Sequence, residues 1–270
     1  MMCTKFNALS LSLIFFFSTA VNATVFFVDD FSYPNGQLTD SMFMDAVGDN
    51  VSGGLWQAHS GDGFNDNVAV IDGQAQLLNS GSEDVNRAIG ATMGAGDKWY
   101  YGARVKVNFT GAPGDEINND YFIHFRDDSF GFRGRVYLDD PADAGNDYTL
   151  GLSATSGGQA AAWPSDLTFG EAYNIIVGYD YDSGESTLWV DPVDAASTSI
   201  MDTGGEMTAI STLGLRQDFI GGTANNEILV DAVAAGSDFN AVLRSIVPEP
   251  TGNLLFVVAG LCMIARARRR

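Results

Sequence analysis

Strict alternation of apolar and polar residues is the feature that most constrains this chain. From Trp99 to Phe109 one set reads Trp99, Tyr101, Ala103, Val105, Val107, Phe109, and the other Tyr100, Gly102, Arg104, Lys106, Asn108. Only a strand places such sets on opposite faces, so one face here is buried and the other is not. Comparable strands are expected at Val25–Phe31, Val68–Leu78, Tyr121–Arg126, Phe130–Leu138, Tyr148–Ala154, Tyr173–Tyr181, Ser186–Val190 and Glu227–Ala234. Turn clusters separate them, and Asp182-Ser183-Gly184 joins two strands as a hairpin. No stretch shows a sustained helical period. The expected class is all-β, two antiparallel sheets packed as a jelly roll or related sandwich.

The two ends of the chain are of another kind. Lys5, the apolar run Leu9–Phe17 and the small residues Val21-Asn22-Ala23 have the layout of a secretory signal, with cleavage between Ala23 and Thr24. At the other end Val247-Pro248-Glu249-Pro250 precedes an apolar run from Leu254 to Ala265 and four arginines, Arg266, Arg268, Arg269 and Arg270. Arginines behind an apolar segment resist translocation. Twelve residues of helix span roughly 18 Å, however, against about 30 Å of bilayer core, so a temporary anchor suits the segment better than a permanent one. The order Pro-Glu-Pro, apolar helix, terminal arginines resembles the PEP-CTERM sorting signal of Gram-negative bacteria. That resemblance implies export by the general secretion machinery, processing by an exosortase-type enzyme, and a final place at the outer surface or in the extracellular matrix. The domains expected are therefore a signal peptide, 1–23, a β-sandwich, 24–246, and a sorting signal with a short transmembrane helix, 247–270.

Composition narrows the partners. Both cysteines, Cys3 and Cys262, fall inside the targeting segments, which leaves the sandwich without a thiol, a disulfide or a cysteine-held metal. Between Thr24 and Pro250 there are 9 basic against 34 acidic residues, a formal charge of −25. Such a surface repels nucleic acid.

A second resemblance covers most of residues 24–246. Asp29-Asp30-Phe31-Ser32-Tyr33-Pro34 with Gly36, Val70-Ile71-Asp72-Gly73-Gln74, the hairpin from Tyr179 to Pro192, and Leu215-Arg216-Gln217 before Ile228-Leu229-Val230-Asp231 are similar in kind and order to concanavalin A-like, laminin-G-like domains. The resemblance implies a jelly roll and, in many members, carbohydrate binding.

Chemistry-bearing groups are sparse. A glycoside hydrolase on this fold needs two carboxylates on one strand face. Glu116 and Asp120 approach that pattern, but Asn118 stands where the middle acid belongs and the segment follows a turn. With only His59 and His124, neither a nucleophilic triad nor a zinc site has its parts. His59 is expected in a loop and His124 on a strand. No catalytic residue is assigned. Calcium takes six to eight oxygen ligands, and Asp29, Asp30 and Asp231 are the candidates for a structural ion.

Six of the nine basic residues of the sandwich lie between Lys98 and Arg135. Alternation sets Arg104 and Lys106, His124 and Arg126, and Arg133 and Arg135 opposite the apolar positions of their strands. Tyr100, Phe122 and Tyr137 fall on the same side. If the three strands share a sheet, their outer faces make a basic, aromatic patch able to hold an anionic polysaccharide. Three functions follow as expectations: a non-catalytic surface or matrix protein associated with exopolysaccharide, a carbohydrate-binding module for an anionic polysaccharide, and a glycoside hydrolase or polysaccharide lyase, the last requiring a carboxylate pair or a His–Tyr pair in a cleft.

Overall fold

The computed structural model describes residues 24–39, 50–61, 67–109, 120–139, 147–155, 157–217 and 226–247. The expected signal peptide, the Glu116 segment and the residues beyond Val247 lie outside them. No helix among the described residues is long and apolar enough to cross a membrane.

In chain order the strands are β1 (Val25–Asp29), β2 (Gly36–Gln37), β3 (Trp56–Ser60), β4 (Ala69–Ile71), β5 (Gln74–Leu78), β6 (Asp84–Ala88), β7 (Lys98–Asn108), β8 (Asp120–Asp127), β9 (Phe132–Asp139), β10 (Asp147–Ser153), β11 (Ala161–Ala162), β12 (Leu167–Thr168), β13 (Ala172–Asp180), β14 (Ser186–Val190), β15 (Ser199–Asp202), β16 (Ile210–Leu215) and β17 (Glu227–Gly236), followed by helix α1 (Phe239–Ile246). Among the described residues they form two antiparallel sheets. The first runs β15-β14-β13-β7-β17-β5-β4-β2, with β1 also on β17. The second runs β11-β10-β9-β8-β16-β6-β3, with β12 also on β10.

The two sheets bury one face each against the other. From β7 come Trp99, Tyr101, Ala103, Val105 and Val107, and from β13 Ile175, Val177 and Tyr179. The second sheet returns Phe125 from β8, Val136 and Leu138 from β9, Leu150 and Leu152 from β10, and Leu213 and Leu215 from β16. Polar bonds also link the two sheets; in one of them the Tyr101 hydroxyl donates to the Gly134 carbonyl at 2.6 Å. Gly134 has φ +55°, and a Cβ there would lie 2.8 Å from Val177 Cγ1. Glycine is thus demanded both by the backbone and by the approach of the sheets.

Several expectations need correction. The strand expected over Val68–Leu78 is two, because Asp72 and Gly73 both adopt positive φ and turn the chain between β4 and β5. Phe130 is outside β9 and has φ +63°. His59 sits in strand β3 and not in a loop. Phe122 is fully buried in the core, since irregularities of register in β8, between Tyr121 and Ile123 and again before Phe125, break simple alternation. Most consequential, β7 belongs to the first sheet and β8 and β9 to the second, so the three basic strands do not share a face.

Helix α1 was also unexpected. Asp238 caps it, accepting from Ala241 N at 2.7 Å, and its apolar residues Phe239, Val242, Leu243 and Ile246 repeat at helical spacing. They pack on Ile176, Trp189, Ala232 and Ala234, across the outer face of the first sheet. Gly102 of β7 makes room: a Cβ there would meet Ile176 Cδ1 at 2.7 Å, Val242 Cγ1 at 2.9 Å and Ile246 Cδ1 at 3.0 Å.

Candidate functional site

With the outer face of the first sheet partly covered by α1, the polar aromatic face lies on the second. Its pieces come from five neighbouring strands and the residues that follow them. β3 supplies His59, β6 supplies Asp84, β16 supplies Thr212 and leads into Arg216, β8 supplies Asp120, Tyr121, His124 and Arg126, and β9 supplies Phe132, Arg135 and Tyr137. Gly214 of β16 lets His124 lean across its neighbour, because a Cβ at that glycine would stand 2.6 Å from the imidazole Cε1.

Tyr121 is the centre of the face. The guanidinium groups of Arg135 and Arg216 each lie 4.7 Å from its ring centroid, and that of Arg135 lies 5.2 Å from the ring of Tyr137. His124 meets the Tyr121 ring edge-on at 5.3 Å, and Phe132 meets His124 at 4.5 Å. His59 closes the row at 6.3 Å from His124 and 6.0 Å from Phe130. At that same end Arg126 places its guanidinium 4.4 Å above the Phe130 ring. Rings of both kinds next to cations are suited to sugars bearing negative charge, since aromatic faces stack on sugar rings and guanidinium groups grip carboxylates or sulfates.

The surroundings hold these groups in place. Arg135 donates from Nε to Thr155 O at 2.7 Å and also binds Gly157 O, which Tyr137 reaches with its hydroxyl at 2.8 Å. Arg216 pairs with Asp120 at 2.6 Å. Burial would lower the Arg216 pKa, but the Asp120 carboxylate holds it above the ordinary value. Burial raises Tyr121, and pushes Tyr137 up to about 12. Asp84 is pushed up to about 6 by burial, against the opposing hydrogen bond from Ser60 and the charge of Arg216. His59 is lowered to about 4, first by burial and then by Arg126. His124, with no exposed surface, is lowered well below 6.5 by burial, reinforced by His59 and the three arginines. Both imidazoles are therefore neutral at pH 7.

Several buried polar atoms here have no protein partner: both ring nitrogens of His124, Nδ1 of His59, Nε of Arg126 and Oγ1 of Thr212. Buried polar groups are ordinarily satisfied; further unpartnered atoms, Tyr148 Oη and Trp189 Nε1 among them, lie elsewhere in the sandwich.

The sequence-expected residues divide accordingly. His124, Arg126, Arg135 and Tyr137 are brought together. Arg133 turns away, donating to Phe132 O and Glu206 O, because the left-handed Gly134 sends Phe132 outward in its place. Tyr100, Arg104 and Lys106 lie on the first sheet. There Tyr100 packs edge-on to Phe239 of α1 at 5.6 Å, Arg104 pairs with Asp231 at 3.2 Å, and Lys106 lines with them a cavity of about 170 Å³. Missed in the sequence were His59, Tyr121, Phe132 and Arg216. Arg216 lies outside the basic cluster of residues 98–135, and only strand pairing brings it beside Tyr121.

The calcium candidates do not fit an ion. Asp29 is 5% exposed and its carboxylate already accepts from Phe31 N at 2.9 Å, Tyr33 Oη at 2.8 Å and Trp56 Nε1 at 2.8 Å, and pairs with Arg87. Asp30 accepts from Ser32 N, and Asp231 is held by Arg104. Among the described residues no three acidic, histidine or cysteine side chains are grouped as a metal site. Thr24, beside the expected cleavage point, starts the described structure, and its carbonyl accepts from Ser237 N at 2.9 Å. Val247 caps the C-terminal end of α1; Ala23, Pro248, Glu249, Pro250, Arg266, Arg268, Arg269 and Arg270 lie outside the described residues.

No protein-family model matches this chain, and no curated protein does. Solved structures similar to it include an alginate lyase from Alteromonas sp. 272, 16% identical with a TM-score of 0.43 over 69% of this chain and 96% of the other. Peanut lectin is 13% identical with a TM-score of 0.45 over 68% and 92%. The luminal domain of VIP36, in its calcium- and mannose-bound form, is 13% identical with a TM-score of 0.41 over 73% and 85%. These likenesses are too slight to assign a chemistry or a sugar.

Proposed function

We propose that this is an exported, non-catalytic surface or matrix protein, a concanavalin A-like jelly roll that holds an acidic extracellular polysaccharide on the outer face of its second sheet. One observation carries this reading. In a chain of formal charge −20, the guanidinium groups of Arg126, Arg135 and Arg216 converge with six aromatic or imidazole rings on one face. The targeting segments supply the rest: export through the general secretion machinery, brief anchoring, processing by an exosortase-type enzyme at Pro-Glu-Pro. The proposed face is built by β8, β9 and β16, whereas β7, with Tyr100, Arg104 and Lys106, belongs to the other sheet.

The decisive measurement is retention of the purified domain on immobilised acidic and neutral polysaccharides as salt is raised. Wild type is expected to be held by the acidic matrix alone and released by salt. The double variant Arg126→Ala, Arg216→Ala is expected to pass through unretained, and unchanged retention overturns the reading. Mass spectrometry of the mature protein tests the sorting half. A C-terminus at Arg270 leaves a simple anchor in its place.

A lyase is the second reading, favoured by Tyr121 between the guanidinium groups of Arg135 and Arg216; His124, which has no exposed surface, would act only through Tyr121. Elimination would give an unsaturated uronate visible by ultraviolet absorbance. Its appearance with wild type and loss in Tyr121→Phe would replace binding by catalysis. No observation favours a paired-carboxylate hydrolase, since Asp120 is taken up by Arg216 and Glu116 lies outside the described residues.

A further inference from the structure

Phe130 is an unusual residue in an unusual place. It is bulky, 58% exposed, and held at φ +63°, a region that side chains other than glycine and asparagine rarely occupy. Such strain persists only where the surroundings over-determine it. Here they do. The carboxylate of Asp127, itself 8% exposed, accepts from Ser129 N at 2.8 Å and Gly131 N at 2.6 Å through one oxygen and from Thr208 Oγ1 at 3.2 Å through the other. Asp127 N donates back to Gly131 O at 2.9 Å, closing the turn. Gly131 allows it, since a Cβ would lie 2.3 Å from Asp127 Oδ2. A turn built so firmly around an exposed phenyl ring does nothing for the core, which the ring does not enter.

What the ring does meet is the cationic end of the face. Arg126 lies over it, and His59 stacks beside it at 27° between planes. Arg126 makes no ion pair among the described residues, in contrast to Arg87, Arg104, Arg133 and Arg216, and its Nε is without a partner. Thr212, its cross-strand partner and 8% exposed, has a free hydroxyl oxygen. A cation held in place by an aromatic ring and unpaired with any carboxylate among the described residues is suited to an anion from outside.

We propose that Phe130, Arg126 and Thr212 form the terminal subsite of the polysaccharide face, where the phenyl ring stacks on one sugar unit and Arg126 takes that unit's anionic substituent, a carboxylate or a sulfate ester. Phe130 is thereby the specificity-determining residue of the site. The inference rests on the polysaccharide-binding reading and deepens it.

Titration calorimetry with three short oligosaccharides, one of uronic acid, one sulfated and one neutral, tests it. The informative variant is Phe130→Gly, which removes the ring and relieves the backbone at once. It is expected to melt at or above the wild-type temperature and yet bind the preferred acidic oligosaccharide roughly tenfold more weakly, a loss typical of a cation–aromatic anchor. Phe130→Tyr is expected to restore binding. Preference for the uronic or for the sulfated ligand identifies the substituent, and loss of that preference in Phe130→Gly supports the subsite. If Phe130→Gly binds as wild type does while Arg216→Ala abolishes binding, the subsite is overturned and the face stands. If wild type binds none of the three, both fall.

Discussion

The two outer faces of this sandwich were given opposite treatment. The face on β7, β13, β14 and β17 is apolar where α1 lies on it, and the helix seals it with Phe239, Val242, Leu243 and Ile246. The face on β3, β8, β9 and β16 carries histidines, arginines and a row of rings, and keeps buried polar atoms that no protein group satisfies. Covering a sheet is the ordinary solution to an apolar face. Polar atoms without a protein partner occur on both faces, Trp189 Nε1 on the first and those of Arg126 and Thr212 on the second, so the distinction lies in the rings and guanidinium groups that the second sheet carries. On the proposed reading the first face serves stability and the second recognition, and substitutions in each are expected to move different observables.

The largest expected effect is under the helix. Phe239→Ala empties a site bounded by Tyr100 and Trp189, whose rings lie 5.6 and 5.0 Å away, and such truncations cost about 3–5 kcal/mol. Chemical denaturation is expected to show that loss with oligosaccharide affinity unchanged. Arg126→Ala on the other face is expected to do the reverse, costing under about 1 kcal/mol. Equal stability losses from the two would break the division.

How much of this division is legible in the chain depends on how regular each strand is. In β7 alternation runs unbroken for eleven residues, so the inward Trp99 and the outward Arg104 are read correctly from parity alone. In β8 the register slips twice, and Phe122 goes inward although parity puts it beside His124. In β9 the left-handed Gly134 exchanges Phe132 for Arg133. Strand order is the other blind spot. Lys106 and Arg126 look like neighbours in a basic cluster, while pairing places β13 and β17 on either side of β7 and leaves β8 to β9 and β16. The helix spacing of Phe239, Val242, Leu243 and Ile246, behind the Asp238 cap, was present in the residues, but eight residues between a strand and an apolar tail are easily absorbed into either. β6 was hidden for another reason: its residues Asp84-Val85-Asn86-Arg87-Ala88 are mostly poor strand formers, held in place by pairing to β3 and β16.

Acid sharpens the comparison next, because the titrating imidazoles sit on one face alone. His59 is lowered to about 4 and His124 well below 6.5, so between pH 6.5 and 4 the unfolded chain binds protons that the folded protein refuses. Stability falls as pH falls through that window. Asp84 opposes this. Its carboxyl, raised to about 6, holds a proton that the unfolded chain lacks down to its ordinary 3.8, which adds stability as pH falls. Denaturation between pH 7.5 and 4.5 is expected to show a steeper acid loss in Asp84→Asn and a shallower one in His59→Gln. Identical slopes in both variants and in wild type would mean that these groups do not carry the acid response.

The smallest effect is the most discriminating about the helix. Asp238→Ala removes the acceptor for Ala241 N, and loss of such a cap costs about 1 kcal/mol. A helix of eight residues has no stability of its own in water, so α1 persists through its contacts with the first sheet. If it opens as a local unit, the cap's loss appears as roughly fivefold faster amide exchange in α1. Exchange in β8 and β16 is then expected to stay as in wild type, since no residue of theirs touches the helix cluster. Acceleration in those strands as well would show that helix, core and recognition face open together. The two faces would then be one cooperative body, and binding on the second sheet would slow exchange under α1, an effect absent if the helix opens alone.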